Sequence, residues 1–258
     1  MYKSYGLEYR KKLNVREKIF SKFLYYQSFI GNEQPTILCE GKTDNIYLKS
    51  AINILSKDYP LLASVKDDKS PYYLLVNFYN YSKRTKFLLD LSGGGSYLKK
   101  FVERFKANLK FYKNTLPKNP VIILLDNDSG PNELLNLLTG KKSKDYPNCP
   151  NTKEDIRNAE YVHLLSNLYL ILTPLSLDKE TEMEDFFDDS ALKTLVDGRS
   201  FDPTKDADTT KTYGKNTFSI KVVKEKKSNI SFEAFKVILD RMNSVINHHE
   251  KMVNNADK

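Results

Sequence analysis

The sequence is poor in cysteine and in long hydrophobic runs. Cys39 and Cys149 are the two cysteines of its 258 residues, which is too few for a disulfide framework, and their spacing matches no zinc-binding pattern. No apolar stretch approaches the roughly 18 to 20 residues of a membrane span. Met1 is followed by polar residues and not by the apolar core of a signal peptide. We therefore expect a soluble protein of the reducing cytoplasm that contacts no membrane.

Several motifs that would assign a function directly are also missing. The sequence has no internal repeat and no Tyr-x-Asp-Asp polymerase motif. The glycine-rich turn Gly93-Gly94-Gly95 lacks the following Lys-Ser/Thr of a nucleotide-binding P-loop, and we interpret it as the start of a helix. The three histidines suggest no catalytic role: we expect His163 to pack in the core, and His248 and His249 to lie at an exposed helix end.

Charge is distributed unevenly along the chain, whose formal net charge is +8. Basic residues concentrate in residues 3–22 and 211–227, and acidic residues concentrate in residues 178–189. An acidic centre flanked by basic segments suits a protein that binds divalent cations at one place and a phosphate backbone around it. A solvated, lysine-rich surface is an equally good interpretation of either basic cluster alone.

Two short, strongly apolar runs end directly at acidic motifs. Residues 36–39 precede Glu40-Gly41-Lys42-Thr43-Asp44, and residues 121–125 precede Asp126-Asn127-Asp128. Such runs are typical of central parallel strands that are covered on both faces. In open α/β sheets the functional crevice lies outside the carboxyl ends of the strands, so the two motifs share one cleft if the strands are neighbours. The sequence therefore predicts an α/β fold with a metal site at strand ends.

Asp126 and Asp128 are two residues apart, so their side chains point to the same side of an extended segment and can share a cation. Two close carboxylates repel each other, and a metal ion removes the conflict. The Asp-x-Asp motif also occurs in phosphatases of the haloacid dehalogenase type and in glycosyltransferases. Ser129-Gly130 departs from the Asp-x-Asp-x-Thr form of those phosphatases, which disfavours that alternative.

The order of elements suggests a central domain with additions at both ends. We expect an N-terminal helical connector at 1–34, an α/β domain at 35–195 and a C-terminal basic α+β extension at 196–258 that packs on the core. The other expected elements are strands at 72–78, 87–91, 168–172 and 218–223, helices at 44–56, 97–112 and 231–249, and a mobile loop at 129–153.

The order Glu-Gly-x-x-Asp, glycine-rich turn, Asp-x-Asp and late acidic cluster resembles the TOPRIM family over residues 35–190. Within that family the chain is similar to the nuclease domains of the OLD group. It is most similar to the TOPRIM domains attached to retron reverse transcriptases, and residues 16–49 carry that closer match. The resemblance implies a Rossmann-like central parallel sheet flanked by helices.

The resemblance also implies roles for the acidic residues. Glu40 would be a metal ligand or general base, and Gly41 would allow a sharp turn beside it. Asp44 matches the position of a second ligand in the OLD group; its alternative role is to stabilise a helix N-terminus. Asp126 and Asp128 would complete the site. The late acidic ligand would be Glu184, with Glu182 as the second choice, and the cofactor would be two Mg²⁺ or Mn²⁺ ions.

Four further residues are candidates for the catalytic or substrate-binding surface. Lys215 and Lys221 lie where the OLD group brings a lysine to the cleft, and either could stabilise charge on the phosphate. A plain surface position is at least as good an interpretation of each. Lys42 and Gly94 are candidates for substrate binding because they lie in the first acidic motif and in the glycine-rich turn.

The function implied by these features is metal-dependent hydrolysis of phosphodiesters in DNA or RNA. The retron resemblance implies the toxic effector of an antiviral system, with a reverse transcriptase and its RNA–DNA hybrid as partners, possibly fused in cis. Two alternatives stay open: a non-catalytic TOPRIM scaffold that binds nucleic acid or the reverse transcriptase, and a Mg²⁺-dependent phosphatase of the Asp-x-Asp type. The sequence does not decide between DNA, RNA and tRNA as substrate, nor whether the chain forms a homo-oligomer.

Overall fold

The computed structural model describes residues 13–64, 72–112, 117–204, 208 and 210–256. The first part of the expected N-terminal connector, including Lys3, Arg10, Lys11 and Lys12, lies outside the described residues. None of the described helices combines the length and the hydropathy that crossing a membrane requires.

The strands that we number β1 to β9 form one five-stranded sheet and two small two-stranded sheets. The large sheet has the order β4-β1-β5-β7-β6; its first four strands are parallel, and β6 pairs antiparallel with β7 at one edge. Cys39 of β1 pairs with Leu124 of β5, so the two strands end at the same edge of the sheet. The strands are Thr36–Cys39, Ala63–Ser64, Tyr73–Leu74, Asn77–Phe78, Val121–Leu125, Val162–Leu165, Leu168–Leu172, Ser200–Phe201 and Thr212–Tyr213.

Helices cover both faces of the large sheet. One hydrophobic cluster contains Ile37 and Ile122, and the other contains Leu38 and Ile123, because successive strand residues point to opposite faces. The α-helices α1 to α9 are Val15–Phe29, Lys42–Ile54, Lys83–Leu89, Gly95–Leu109, Asn132–Thr139, Lys153–Asn158, Asp189–Leu192, Lys215–Thr217 and Lys236–Ala256. A π-helix spans Phe218–Lys224, and 3₁₀-helices span Ser143–Asp145, Met183–Phe186, Lys227–Asn229 and Glu233–Phe235.

This architecture confirms the expected α/β fold with a mostly parallel, helix-flanked sheet, which is compatible with a Rossmann-like arrangement. Strands β1, β5 and β7 lie where their apolar runs predict them. Residues on both sides of the central domain share its core: Phe29 of α1 packs in one hydrophobic cluster, and Phe218 of the π-helix packs in the other. The two flanking segments therefore contribute to the same two layers that cover the sheet.

Three predicted elements are wrong. Residues 87–91 are not a strand, because Ser82 caps a helix there by accepting a hydrogen bond from the Thr85 N–H. Strand β4, at the end of the strand predicted at 72–78, pairs parallel with β1 on the side opposite β5. Residues 218–223 form a π-helix, and their buried side chains, Phe218, Val222 and Val223, do not follow a two-residue period. The expected loop at 129–153 contains helix α5.

The interpretation of His248 and His249 as an exposed helix end is also wrong, because α9 continues to Ala256 and His248 is half-buried. His249 is 2% exposed, and its Nε2 lies 2.9 Å from the Pro117 carbonyl oxygen. The Tyr169 hydroxyl on β7 lies 3.0 Å from His248 Nδ1 and 3.3 Å from His249 Nδ1. His163 stacks on the Tyr169 ring, as expected of a packed residue. The histidines therefore attach α9 to the sheet.

Candidate active site

The carboxyl edge of the sheet brings together the two acidic motifs. Glu40 follows β1 and Asp126 follows β5, and both side chains are half-buried. Burial raises the pKa of Glu40, and the charges of Asp128 and Asp44 raise it further. Each carboxylate therefore lies within the electrostatic field of the others, as expected for the ends of neighbouring parallel strands.

The glycine-rich turn at the start of α4 packs directly against Glu40. The Gly94 N–H donates to the Glu40 carbonyl oxygen at 3.0 Å, and the Gly95 N–H donates to the Glu40 carboxylate. Gly94 has φ +97°, a conformation that side-chain-bearing residues rarely adopt. A Cβ on Gly93 would lie 2.5 Å from the Glu40 carbonyl oxygen. Glycine is therefore required here for close approach of two backbones, and Gly94 positions Glu40 by its backbone.

Gly93→Ala is expected to destabilise the fold by about 1 to 3 kcal/mol, because the new methyl group collides with backbone that cannot swing aside. The same collision would displace Glu40, so any activity of the site should fall as well. Thermal unfolding measures the first effect. Gly198→Ala is a useful comparison, since no atom lies within 4 Å of the added Cβ and its cost comes from its φ of +75° alone. An unchanged unfolding midpoint for Gly93→Ala would contradict the packing of this turn.

Asp44 is buried in the first turn of α2 and caps that helix. Its carboxylate accepts hydrogen bonds from the Gly41 N–H at 2.7 Å and from the Thr43 hydroxyl at 3.2 Å. Burial nevertheless raises the pKa of Asp44. The alternative role at the helix N-terminus is therefore realised, and the same carboxylate acts electrostatically on Asp126, whose pKa it raises.

Asp126 and Asp128 are both held by backbone N–H groups. Asp126 Oδ1 accepts from the Met183 N–H at 2.9 Å, which joins the end of β5 to the late acidic segment. Asp128 Oδ1 accepts from the Gly130 N–H at 2.7 Å. Burial raises the pKa of Asp126 to about 8, with further contributions from the charges of Asp44, Glu184 and Glu40. A carboxyl group with this pKa binds its proton near neutral pH unless a cation replaces it.

Asn127, between the two aspartates, points away from them and fixes the loop. It is fully buried, its Nδ2 donates to the Thr173 and Arg157 carbonyl oxygens at 2.9 Å, and its N–H donates to the Thr173 hydroxyl and to the Thr181 carbonyl oxygen. Arg157 Nη1 donates to Asn127 Oδ1 at 2.7 Å, and Nη2 donates to the Asp128 carbonyl oxygen at 2.7 Å. No sequence motif indicated Arg157, which lies 29 residues from Asp128 along the chain.

The late acidic segment brings Glu182 and Glu184 to a lysine. Lys215 Nζ donates to Glu182 Oε2 at 2.8 Å and to Glu184 Oε2 at 2.9 Å. The Tyr47 hydroxyl of α2 donates to Glu184 Oε1 at 3.1 Å, a contact that no sequence motif indicated. Burial raises the pKa of Glu184. Burial lowers the pKa of Lys215, but its bonds to Glu182 and Glu184 outweigh that effect, and the net pKa is raised.

Two other predicted residues lie outside this cluster of contacts. Lys221 is exposed on the π-helix, where its Nζ donates to Glu225 Oε1 at 3.1 Å, so the structure separates it from Lys215. Lys42 is exposed at the first position of α2, beside the acidic edge but without an ion pair among the described residues. Lys215 is therefore the better placed of the two candidate catalytic lysines.

The donor atoms at this edge suit a hard divalent cation. Glu40, Asp44, Asp126 and Asp128 offer carboxylate oxygens, and the hydrogen bonds that they accept come from backbone N–H groups and one hydroxyl. Oxygen ligands of this kind are those that Mg²⁺ and Mn²⁺ prefer. Within the described residues, no three His, Cys, Asp or Glu side chains already form a complete metal-binding group. The chemistry of the donors fits these ions, and the ligand geometry is not preformed.

The structure thus places six predicted acidic residues and one predicted lysine along a single edge of the sheet. These are Glu40, Asp44, Asp126, Asp128, Glu182, Glu184 and Lys215. Hydrogen bonds through Met183 and Tyr47 join the strand ends to the late acidic segment. Among known proteins, no family model matches this chain, and no solved structure matches it.

Proposed function

We propose that the chain is a metal-dependent nuclease of the TOPRIM type that hydrolyses phosphodiester bonds in DNA or RNA. The observation that carries the proposal is the convergence of half-buried carboxylates with raised pKa at the ends of β1 and β5. Charge of this kind destabilises a fold unless a ligand neutralises it, and it concentrates at functional sites. The basic net charge of +8 supports a polyanionic substrate.

Glu40, Asp126 and Asp128 would hold Mg²⁺ or Mn²⁺, with Asp44 and Glu184 available for a second ion. A bound divalent cation supplies an acidified water and stabilises charge on the phosphate and the leaving oxygen. The chain's own contribution is positioning, because Gly95 and Met183 N–H groups fix the carboxylates of Glu40 and Asp126. Because the pKa values of Glu40 and Asp126 are raised, the ionised forms of these carboxyl groups are unfavourable until a cation binds.

Lys215 would stabilise negative charge on the reacting phosphate. Its raised pKa keeps the ammonium charged at neutral pH, which excludes it as a general base there. Glu182 and Glu184 hold that ammonium at the acidic edge. A preorganised cation beside developing charge is an effective source of transition-state stabilisation.

The proposal extends to regulation by a reverse transcriptase and its RNA–DNA product, which the retron resemblance supports. In that arrangement the chain is the toxic effector, and the partner holds it inactive. Expression of the wild-type chain alone should then slow bacterial growth. Co-expression with the reverse transcriptase and its RNA should restore growth, and Asp126→Asn should be harmless in both settings.

The direct test is cleavage of labelled single-stranded DNA, double-stranded DNA and RNA with Mg²⁺, Mn²⁺ or EDTA. We expect cutting that requires the metal and falls to background in Asp126→Asn, which keeps the side-chain oxygen that accepts the Met183 N–H. Asp145→Asn makes the same chemical change at an exposed carboxylate paired with Lys106, and it should retain full cleavage. Lys215→Gln should lose more activity than Lys221→Gln.

Two outcomes would favour the alternatives. Hydrolysis of a chromogenic phosphomonoester without cutting of any nucleic acid would favour the phosphatase of the Asp-x-Asp type. Binding of nucleic acid or of the reverse transcriptase, together with an identical cellular effect of wild type and Asp126→Asn, would favour the non-catalytic scaffold. Either result would overturn the nuclease.

A further inference from the structure

A tyrosine flanked by two lysines lies beside the acidic edge. Tyr97 is half-buried in the first turn of α4. Lys86 Nζ lies 5.4 Å from the centroid of its ring, and Lys100 Nζ lies 5.2 Å from the same centroid. Lys86 belongs to the last turn of α3, so two different helices direct ammonium groups to one aromatic ring.

The position of Tyr97 relative to Glu40 is fixed by backbone contacts. The Tyr97 N–H donates to the Gly94 carbonyl oxygen at 3.1 Å. Gly94 in turn donates to the Glu40 carbonyl oxygen, and the Gly95 N–H donates to the Glu40 carboxylate. The ring is therefore attached to the same turn that positions a candidate metal ligand.

Lys86 of α3 and Lys100 of α4 differ from Lys99 and Lys106 of α4 in having no carboxylate partner within the described residues. Within the described part of the chain, neither Lys86 nor Lys100 forms an ion pair, whereas Lys99 pairs with Glu133 and Lys106 pairs with Asp145. Their charge is available to a ligand. Contacts between an exposed ammonium and a ring are weak, and a stacked base is the stronger partner for the ring.

We infer that Tyr97 is a stacking platform for one base of a single-stranded nucleic acid, with Lys86 and Lys100 contacting the adjoining phosphates. This inference rests on the proposed function and names the substrate class of the same site. An aromatic side chain between cations is the arrangement that binds single strands, because every base offers a ring face. Bases stacked inside a duplex do not offer that face, so a continuous duplex cannot use the platform.

The test measures binding without cleavage, by fluorescence anisotropy with Asp126→Asn protein in EDTA. The probe is a fluorescein-labelled single strand of about 12 nucleotides, as DNA and as RNA, and the comparison is the same sequence as a blunt duplex. Tyr97→Leu keeps bulk and helix propensity but removes the ring face. We expect it to weaken single-strand binding about 5- to 100-fold, with Tyr97→Phe close to the parent and duplex binding unchanged.

The lysines have a separate readout in the salt dependence of binding. Lys86→Gln and Lys100→Gln should each reduce the slope of log Kd against log salt by about 0.7, the value for one phosphate contact on a single strand. Lys106 lies on the same helix as Lys100 but is paired with Asp145, so Lys106→Gln should leave the slope unchanged. Equal slopes for all three variants would overturn the role of Lys86 and Lys100.

A second measurement keeps the stacking role testable if Tyr97→Leu does not fold. Abasic residues scanned through the strand should weaken binding to the Tyr97-containing protein strongly at one position, and an affinity that is flat along the scan would overturn the inference. Cleavage by wild type with equal single-strand affinity of Tyr97→Leu would also overturn it and leave the nuclease standing. Loss of single-strand affinity in Tyr97→Leu, with no cleavage by wild type, would support the platform and overturn the nuclease.

Discussion

Asp126→Asn is expected to stabilise the metal-free protein by about 2 kcal/mol or more at pH 8. Burial and the charges of Asp44, Glu184 and Glu40 raise the pKa of Asp126 from 3.8 to about 8. A pKa difference of one corresponds to about 1.4 kcal/mol of free energy, so a rise from 3.8 to about 8 corresponds to several kcal/mol. The expected gain in stability is smaller than this full value, because removing the charge of one carboxyl group also eases the ionisation of its neighbours. The amide keeps the acceptor for the Met183 N–H.

The sign of the effect follows from proton binding. Below about pH 4 the carboxyl group is protonated in the folded and unfolded chains, and the contribution of Asp126 to stability is fully present. Between about pH 4 and pH 8 the unfolded chain has lost this proton and the folded chain retains it, so wild-type stability falls as the pH rises. Asp126→Asn has no carboxyl group at this position, so its stability does not fall in this way as the pH rises. The difference in unfolding free energy should therefore grow across this window and level off above about pH 8.

Thermal unfolding in EDTA at a series of pH values measures the difference, which should reach about 4 to 8 °C at pH 8 for a chain of this size. Magnesium at about 100 times its Kd should stabilise wild type by about 2.7 kcal/mol and stabilise Asp126→Asn much less. Asp145→Asn is the control, because its ion pair with Lys106 lowers the pKa of that carboxyl. A midpoint for Asp126→Asn that equals wild type at pH 8 would contradict the buried charge.

The parts of this fold that the sequence predicts are those with a local physical cause. Strands β5 and β7 are fully buried, continuously apolar runs, which is the pattern typical of central strands in a parallel sheet. The acidic residues at the ends of β1 and β5 follow from the geometry of parallel sheets. The strand predicted at 72–78 is divided in the structure into β3 and β4, which belong to different sheets, and no apolar pattern in the sequence marks this division. The strand predicted at 87–91 is wrong because a buried helix turn and a buried strand are equally apolar.

The contacts between distant segments are what the sequence does not predict. Tyr47 and Glu184 are 137 residues apart, and nothing in the sequence distinguishes Tyr47 from the other tyrosines among the 17 as the one that contacts Glu184. The sequence does not distinguish Lys215 from Lys221. In the structure Lys215 begins α8 and contacts the acidic edge, whereas Lys221 lies on the π-helix that follows and pairs with Glu225. Arg157 acts through two backbone carbonyl oxygens, which any residue provides, and through two asparagine side chains, neither of which is a defining residue of a motif. Tertiary packing alone brings such groups together.

Arg157→Ala is expected to destabilise the protein by about 3 to 5 kcal/mol. The guanidinium is largely buried and donates to Asn127 at two atoms, to the Asp128 carbonyl oxygen and to Asn132 Oδ1 at 3.1 Å. Its removal leaves the fully buried Asn127 Oδ1 without this donor, and each buried acceptor left unsatisfied costs about 1 to 3 kcal/mol. The loop that carries Asp126 and Asp128 would then lose its main side-chain support.

Denaturant unfolding measures the loss, and Arg84→Ala is the matched control. Arg84 is exposed and lies over the Phe20 ring at 4.8 Å, so its removal should cost less than about 1 kcal/mol. Arg157→Lys should fall close to Arg157→Ala, because one ammonium cannot reproduce the diverging donors of a guanidinium. A lysine variant as stable as wild type would show that a positive charge alone supports the loop. If the diverging donors of the guanidinium are required, the stability of the candidate site depends on Arg157, a residue that takes no part in the proposed chemistry.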